Sequence, residues 1–433
     1  LRLGVVADDV TGACDLAGRV VEGGLPTTVT LGVPSAGAPL FPGEGSGCAV
    51  VALKIRTVPA REAAEAAGES AERLLEAGAS LLYQKYCSTF DSTAQGNIGP
   101  VADAMASVAG TDAITIGTPA TPGAGRIQQG GQLIVDGVPL AESPMRNHPL
   151  TPMRQSDVAR LLRAQTPQRV AAVSQLGRGA DELAERMRQL TAGGVRHLLP
   201  DAVDERDLDT IAQAILTLAD ERSVVAAGGA GVATALARSA VVESAVAGSP
   251  ADEAAASLDP VPDGGRLILS GSASAATRAQ NDAFEGERIT IDPYSLSDDA
   301  ESERIRLRSE LAAALTAGTP VLVTATASLD RVAQVQRDLG THRAADLIES
   351  ALADLAAHAV GSLGVTRLIV AGGETSGAVV AALGIDRLRV GEQAAPGVPW
   401  TAGAALGHPV ALLLKSGNFG GDDLFTRAWG SAP

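Results

Sequence analysis

Leu3-Gly4-Val5-Val6-Ala7-Asp8-Asp9-Val10-Thr11-Gly12-Ala13-Cys14-Asp15 passes from a short apolar run straight into two adjacent carboxylates and then into a run of small residues. The apolar run predicts a buried strand, Asp8-Asp9 a polar turn at its carboxyl end, and Gly12 a tight entry into a helix. Strand, polar loop and helix in that order form the unit of α/β folds, whose ligands bind beyond the carboxyl ends of the strands. Paired carboxylates at such a place can accept hydrogen bonds from ligand hydroxyls, hold Mg²⁺ or act as a general base. They can equally be an N-cap with a solvated acidic turn.

The pattern recurs along the 433 residues. Further strand-like runs fall at 28–31, 49–53, 81–84, 113–117, 170–173, 223–227, 266–270, 320–324, 367–371 and 410–415. Helical periodicity falls between them, at 61–77, 156–164, 180–190, 208–219, 307–316 and 341–361. Alternation of this kind predicts an α/β fold with largely parallel sheets. The length exceeds one comfortable core, and 248–265 is rich in Ala, Asp, Pro and Gly. The expected architecture is two domains, 1–247 and 266–433, joined by a linker at 248–265. Each is a mostly parallel sheet flanked by helices, with a ligand cleft between them. Segment 118–154 reads as irregular, with a hairpin of 132–135 and 138–140 turning at Asp136-Gly137. No internal repeat is evident.

Composition narrows the function. Hydrophobic residues make up 45% of the chain and aromatics only 2%, so the core must be aliphatic. A net charge of −16 argues against a nucleic-acid partner, though a local basic cluster can still hold an anion. Three cysteines without a Cys-x-x-Cys spacing fit a reducing compartment better than a disulfide or zinc scaffold. No signal-like or bilayer-spanning stretch is evident, so a cytoplasmic location and no membrane partner are expected.

Beyond the Asp-Asp turn, four strand-end loops carry candidate chemistry. Arg56, after the run at 49–53, can bind a carboxylate bidentately or sit as a surface arginine. Lys85-Tyr86-Cys87-Ser88-Thr89-Phe90-Asp91-Ser92-Thr93 is dense in hydroxyls and suits a polyhydroxylated anion, or a helix cap. Cys87 has no His nearby in sequence and is read as an inert thiol. Ser270-Gly271-Ser272-Ala273-Ser274 and Ala371-Gly372-Gly373-Glu374-Thr375-Ser376-Gly377 place small residues at helix mouths, where amide groups and the helix dipole favour phosphate. A weaker loop of the same kind is Ser416-Gly417-Asn418-Phe419-Gly420. Neither standard nucleotide fingerprint is present. The N-terminal half thus suits a hydroxylated anion and the C-terminal half phosphates.

Taken in order, these motifs resemble the four-carbon acid sugar kinase family over nearly the whole chain. The motifs from Lys85 to Pro100 and from Met145 to Met153 are similar to the family's 3-oxo-tetronate kinases. The resemblance implies a sugar-acid-binding N-terminal domain, a nucleotide-binding C-terminal domain, and transfer of the ATP γ-phosphate to the C4 hydroxyl of 3-oxo-tetronate with Mg²⁺. The alternatives are a threonate or erythronate kinase of the same family, or a non-catalytic sugar-acid-binding protein. It implies Asp9 and Lys85 as catalytic residues, with Asp8, Arg56, Tyr86, Cys87, Ser88 and Asp91 binding the acid. Ser272, Ser274, Gly372, Gly373, Glu374, Thr375, Ser376 and Gly417 would bind the nucleotide; no metal ligand is identified. The partners implied are the sugar acid and ATP, with a homodimer left open. The chain departs from the family pattern at Gly117–Pro122, Gly229–Val232 and Ala273, and the first departure bears on substrate identity.

Overall fold

A computed structural model describes residues 1–147, 151–174, 177–246, 258–325 and 329–433. The chain divides into two compact units, Leu1–Ala255 and Ala256–Pro433. The expected linker falls partly on 248–257, outside the described residues. Of its remainder, Val261 is buried in the core of the second unit.

The first unit runs β1 (Arg2–Ala7), α1 (Val10–Glu22), β2 (Thr27–Leu31), β3 (Gly47–Ala52), α2 (Ala60–Glu76), β4 (Leu81–Lys85) and α3 (Ile98–Ala109). It continues with β5 (Ile114–Thr118), then β6 (Arg126–Gln129), β7 (Gln132–Val135) and β8 (Val138–Pro139), and α4 (Val158–Arg163). It ends with β9 (Arg169–Val173), α5 (Ala180–Ala192), β10 (Val195–Pro200), α6 (Glu205–Ala219), β11 (Val224–Gly228) and α7 (Ala230–Val246). Its main strands lie in the order β2-β3-β1-β4-β11-β5-β10-β9, and every pairing among them is parallel. Strands β6, β7 and β8 form a separate antiparallel sheet. The expected hairpin is its second half, with both turn residues, Asp136 and Gly137, at positive φ as a two-residue I′ turn requires. Alanine stripes replace aromatics in the core: Ala63, Ala67, Ala71 and Leu74 of α2 pack on Val51, Leu53 and Leu82.

The second unit runs β12 (Gly265–Ser270), α8 (Ala275–Ala283), β13 (Glu287–Thr290), α9 (Pro293–Asp298), α10 (Ala300–Leu315), β14 (Val321–Thr324), α11 (Leu329–Leu339) and α12 (Thr341–Leu363). Then come β15 (Val365–Ala371), α13 (Gly373–Ala382), β16 (Arg387–Ala395), β17 (Val398–Ala405), β18 (His408–Lys415) and α14 (Leu424–Arg427). The order is β13-β14-β12-β15-β18-β17-β16. The first five strands are parallel, and β17 and β16 continue the sheet antiparallel.

Both units start alike. The first strand is followed by one placed two positions away, the next fills the gap, and the fourth pairs on the other side. Each unit therefore has a switch point, at β1/β4 and at β12/β15, where loops leave in opposite directions, the place at which open α/β sheets bind their ligands. Among the described residues no helix is long and apolar enough to cross a membrane.

Candidate active site

At the first switch point the strand ends are level: Ala7 is in register with Ala52 of β3 and with Lys85 of β4. That register brings three loops together, and the Asp8 backbone ties them. Its N–H donates to Lys85 O at 3.1 Å, and its carbonyl accepts from Ile55 N at 3.0 Å and Arg56 N at 3.2 Å. Arg56 turns its fork onto Asp8, with Nε to Oδ2 and Nη2 to Oδ1 both at 2.8 Å. Nη2 also reaches Asp9 Oδ1 at 2.7 Å. Asn97 secures the arginine loop from below, its Nδ2 donating to the carbonyls of Ile55 at 2.6 Å and Val58 at 3.2 Å.

Asp9 has two engagements at once. It is the N-cap of α1, accepting from Gly12 N at 3.0 Å and from the Thr11 hydroxyl at 2.7 Å. It is also the shared partner of Arg56. Burial alone would push its carboxyl pKa up; Arg56, Lys85 and the two α1 donors more than offset that and hold it below the usual carboxylate range. Burial likewise lowers the Arg56 pKa, but Asp8 and Asp9 raise it well above normal. Lys85, 4% exposed, donates to Tyr86 O at 3.0 Å. A methyl at Gly12 would lie 2.3 Å from Asp9 Oδ1 and 3.0 Å from Lys85 Nζ. Gly12 is therefore where the carboxylate and the ammonium share space against the helix.

The hydroxyl-rich loop follows β4. Thr89 Oγ1 donates to Asp91 Oδ1 at 2.6 Å, and Cys87 Sγ lies 3.0 Å from the same hydroxyl. Burial, then Asp91, pushes the Cys87 thiol up to about 12, so it is not a thiolate nucleophile. Phe90 takes φ 51°, a left-handed conformation that costs a bulky residue about 1–2 kcal/mol. Its ring meets Tyr86 edge-on at 5.2 Å. Tyr86 is 3% exposed and its ring belongs to the apolar core; its part in the site is the carbonyl that receives Lys85. Ser88 is half-buried, facing Gly229, where a Cβ would approach its own Cβ to 3.5 Å. The two segments that depart from the family pattern thus meet each other, and the second adjoins this loop: a Cβ at Gly229 would also lie 2.8 Å from Thr121 Oγ1.

The second switch point is built from smaller residues. Ser270, Ala371 and Lys415 end β12, β15 and β18 in one register row. Gly271 N donates to Ala371 O at 3.1 Å and Gly372 N to Lys415 O at 3.0 Å. The loops then touch. A Cβ at Gly417 would lie 2.4 Å from Ser272 Oγ and 3.0 Å from Ser274 Oγ, and one at Gly271 would lie 2.2 Å from Thr375 Oγ1. Gly372 sits at φ 126°, a conformation that side chains strain to adopt. Ser274 caps α8, accepting from Thr277 N at 3.2 Å, whereas α13 starts at Gly373 with no side-chain cap. Gly373 and Glu374 are half-buried in its first turn. Ser376 Oγ is buried without a partner. Small residues, an uncapped helix start and a stranded hydroxyl fit a phosphate chain. Among the described residues no cluster of three or more His, Cys, Asp or Glu is placed to hold a metal ion.

The structure therefore gathers Asp8, Asp9, Arg56 and Lys85 at one switch point, and Ser272, Ser274, Gly372, Thr375 and Gly417 at the other. The motif from Met145 to Met153 is only partly visible, because 148–150 lie outside the described residues. Sequence reasoning gave no role to Asn97, which fixes the Arg56 loop, or to Gln165. The Gln165 amide donates to Ser92 Oγ at 2.9 Å and accepts from Gly99 N at 2.9 Å. Thr277 and Lys415 were also missed. Lys415 carried a signal: it ends a strand immediately before a glycine loop.

The chain matches the sugar-binding N-terminal domain family over residues 3–236 and the nucleotide-binding C-terminal domain family over 267–425. It is 43% identical over 430 residues to a 3-oxo-tetronate kinase of Burkholderia multivorans, covering 98% of this chain and 96% of the relative. It is 42% identical to the enzyme of that name from Pseudomonas fluorescens, covering 99% and 96%. A crystal structure of a Salmonella typhimurium LT2 protein, provisionally described as a tRNA synthase, superposes with a TM-score of 0.83 at 35% identity over 100% of both chains. A Haemophilus influenzae protein superposes with 0.74 at 36% identity over 99% of both. With both domain matches in order and these relatives aligned end to end, the chain belongs to the four-carbon acid sugar kinase family.

Proposed function

We propose that the chain transfers the γ-phosphate of ATP to the C4 hydroxyl of 3-oxo-tetronate, giving 3-oxo-tetronate 4-phosphate. The observation that carries this reading is the full-length similarity to kinases named for that substrate. The two switch points supply matching chemistry, cations with carboxylates at one and a small-residue phosphate cradle at the other. A tRNA substrate does not fit a net charge of −16.

Phosphoryl transfer needs positioning, neutralised charge and a placed nucleophile. Lys85 and the Arg56 nitrogen not engaged with Asp8 and Asp9 attract the acid's carboxylate, and Ser88 and Thr89 offer hydroxyl partners. Asp9, ionised at neutral pH, orients the C4 hydroxyl. Its lowered pKa makes it a weak base, which suits a loose transfer in which the acceptor loses its proton late. The loops at Ser272–Ser274, Gly372–Ser376 and Gly417 hold the nucleotide. Mg²⁺, bound with the nucleotide, would supply neutralisation of charge on the phosphates.

The test is ADP release with 3-oxo-tetronate, D-threonate, L-threonate and D-erythronate offered in parallel. The reading requires kcat/KM to be highest for 3-oxo-tetronate. A higher value for one of the other acids reassigns the substrate within the family, with 117–122 and 229–232 as the specificity segments. Absence of ATP binding by calorimetry would instead leave a sugar-acid-binding protein.

A further inference from the structure

We propose that Lys415 is the cation that meets the polyphosphate of the nucleotide at the second switch point. The proposal rests on the nucleotide-site reading above and assigns it a residue.

The chain has 34 Lys and Arg residues, and only three are Lys: Lys54, Lys85 and Lys415. All three stand at or just past the carboxyl end of a parallel strand, where ligands bind. Elsewhere the chain uses Arg. Arginine stays charged and needs its whole fork satisfied, whereas lysine is compact and can be stored in a buried place.

The carbonyl that receives Lys415 is crowded with donors. The side chain is fully buried, and Nζ donates to Thr277 Oγ1 at 2.8 Å and Gly417 O at 3.1 Å. That same carbonyl also accepts from Thr277 Oγ1 at 2.7 Å and from Ser274 Oγ. Three donors converge on an oxygen with two lone pairs, and the ammonium keeps one hydrogen to give. A local excess of donors is what an acceptor-rich anion satisfies.

Among the described residues no carboxylate is paired with the amine, and burial is the only influence on its titration. Arg278 and Asp282 on α8, Arg367 on β15, Glu374 on α13, and Asp422, Asp423 and Arg427 at α14 are the charged groups carried by the surrounding elements. Among the described residues none forms an ion pair with it, and its aromatic neighbour is Phe425, with Nζ 5.9 Å from the ring centre. Burial pushes the Lys415 pKa down to about 7. A phosphate brought alongside reverses that push and restores the charge. An unpaired buried amine is a liability to the ligand-free fold, which fits a group kept for binding.

The experiment is calorimetric titration of wild type, K415M and K415Q with MgATP, MgADP and adenosine, repeated at pH 8 in buffers of different ionisation enthalpy. The expected result is a loss of roughly tenfold to a hundredfold in ATP and ADP affinity in both variants, with adenosine affinity unchanged. Wild type takes up protons on binding MgATP at pH 8, and the uptake falls in both variants. Ligand-free K415M melts at or above wild type. Should K415M fail to fold, K415Q carries the test. Unchanged ATP affinity in the variants, or adenosine lost in parallel with ATP, overturns the assignment while leaving the nucleotide site standing. Wild type that binds none of the three overturns both.

Discussion

The two units open with the same strand order yet furnish their switch points in opposite ways. At β1/β4 charge is matched within the protein: Arg56 is forked onto Asp8 and shared with Asp9, and Lys85 lies beside them. At β12/β15 there are glycines, serines and threonines, with one buried lysine that no carboxylate among the described residues pairs with. The first arrangement is rigid and charged before any ligand arrives, which suits the choice of one small acid by geometry. The second presents donors in excess, which suits a polyphosphate whose charge exceeds what one side chain supplies. One topology thus carries two kinds of chemistry, and the difference lies in the loops.

The comparison breaks most visibly at Arg56. R56M removes the guanidinium that bridges Asp8 and Asp9 and leaves Lys85 as the cation beside them; stranding the partners of this partly buried pair costs about 1–3 kcal/mol. Acid binding and turnover should both collapse, by about a thousandfold in kcat/KM, with a matching fall in urea stability. ATP affinity should stay within a few-fold of wild type. Next is D9N, which keeps the N-cap but removes the charge. Turnover should fall by on the order of a hundredfold, with acid binding, measured separately, changed much less. If only binding is lost, Asp9 is a substrate ligand; unchanged turnover removes it from the mechanism.

G372A sharpens the other side. Forcing a side chain to φ 126° should cost about 1–3 kcal/mol, raising KM for ATP while leaving KM for the acid. G12A is its counterpart at the first switch point. The added methyl must displace the Asp9 carboxylate, at a cost of about 1–3 kcal/mol, and should raise KM for the acid alone.

The smallest effect is in acid. Because the folded pKa of Asp9 lies below its unfolded value, about 3.9, its contribution to stability is full above roughly pH 5. It is lost as pH falls through the folded value. The urea-stability difference between wild type and D9N should therefore shrink between pH 6 and pH 3.

Much of the fold is legible in the sequence, because buried parallel strands such as Val5-Val6-Ala7 and Leu368-Ile369-Val370 are continuous apolar runs. Strands that break that rule are harder to see. In β10, Arg196 and His197 interrupt the run; the histidine is tolerated because its ring nitrogens reach Thr115 Oγ1 at 2.6 Å and Asp103 Oδ1 at 2.9 Å. In β16 and β17 glycine and polar residues dilute the alternation, and antiparallel pairing carries them instead. The shared strand order of the two units is invisible as a sequence repeat, since topology is set by which runs pair. The acidic turn was legible as a candidate site with its role left open. Asp9 proves to cap α1 and to pair with Arg56 together, so capping and site chemistry do not exclude each other. Arg56 was read as a ligand fork, yet its fork holds Asp8. Which cation answers which carboxylate depends on the level ends of β1, β3 and β4, and spacing alone does not encode that.

The most direct measurement is ³¹P NMR of the protein with MgATP and 3-oxo-tetronate. The account predicts loss of the ATP γ-signal and growth of a phosphomonoester coupled to two geminal protons, those of C4. Inorganic phosphate as the only product, or a phosphoester coupled to a single proton, would contradict it.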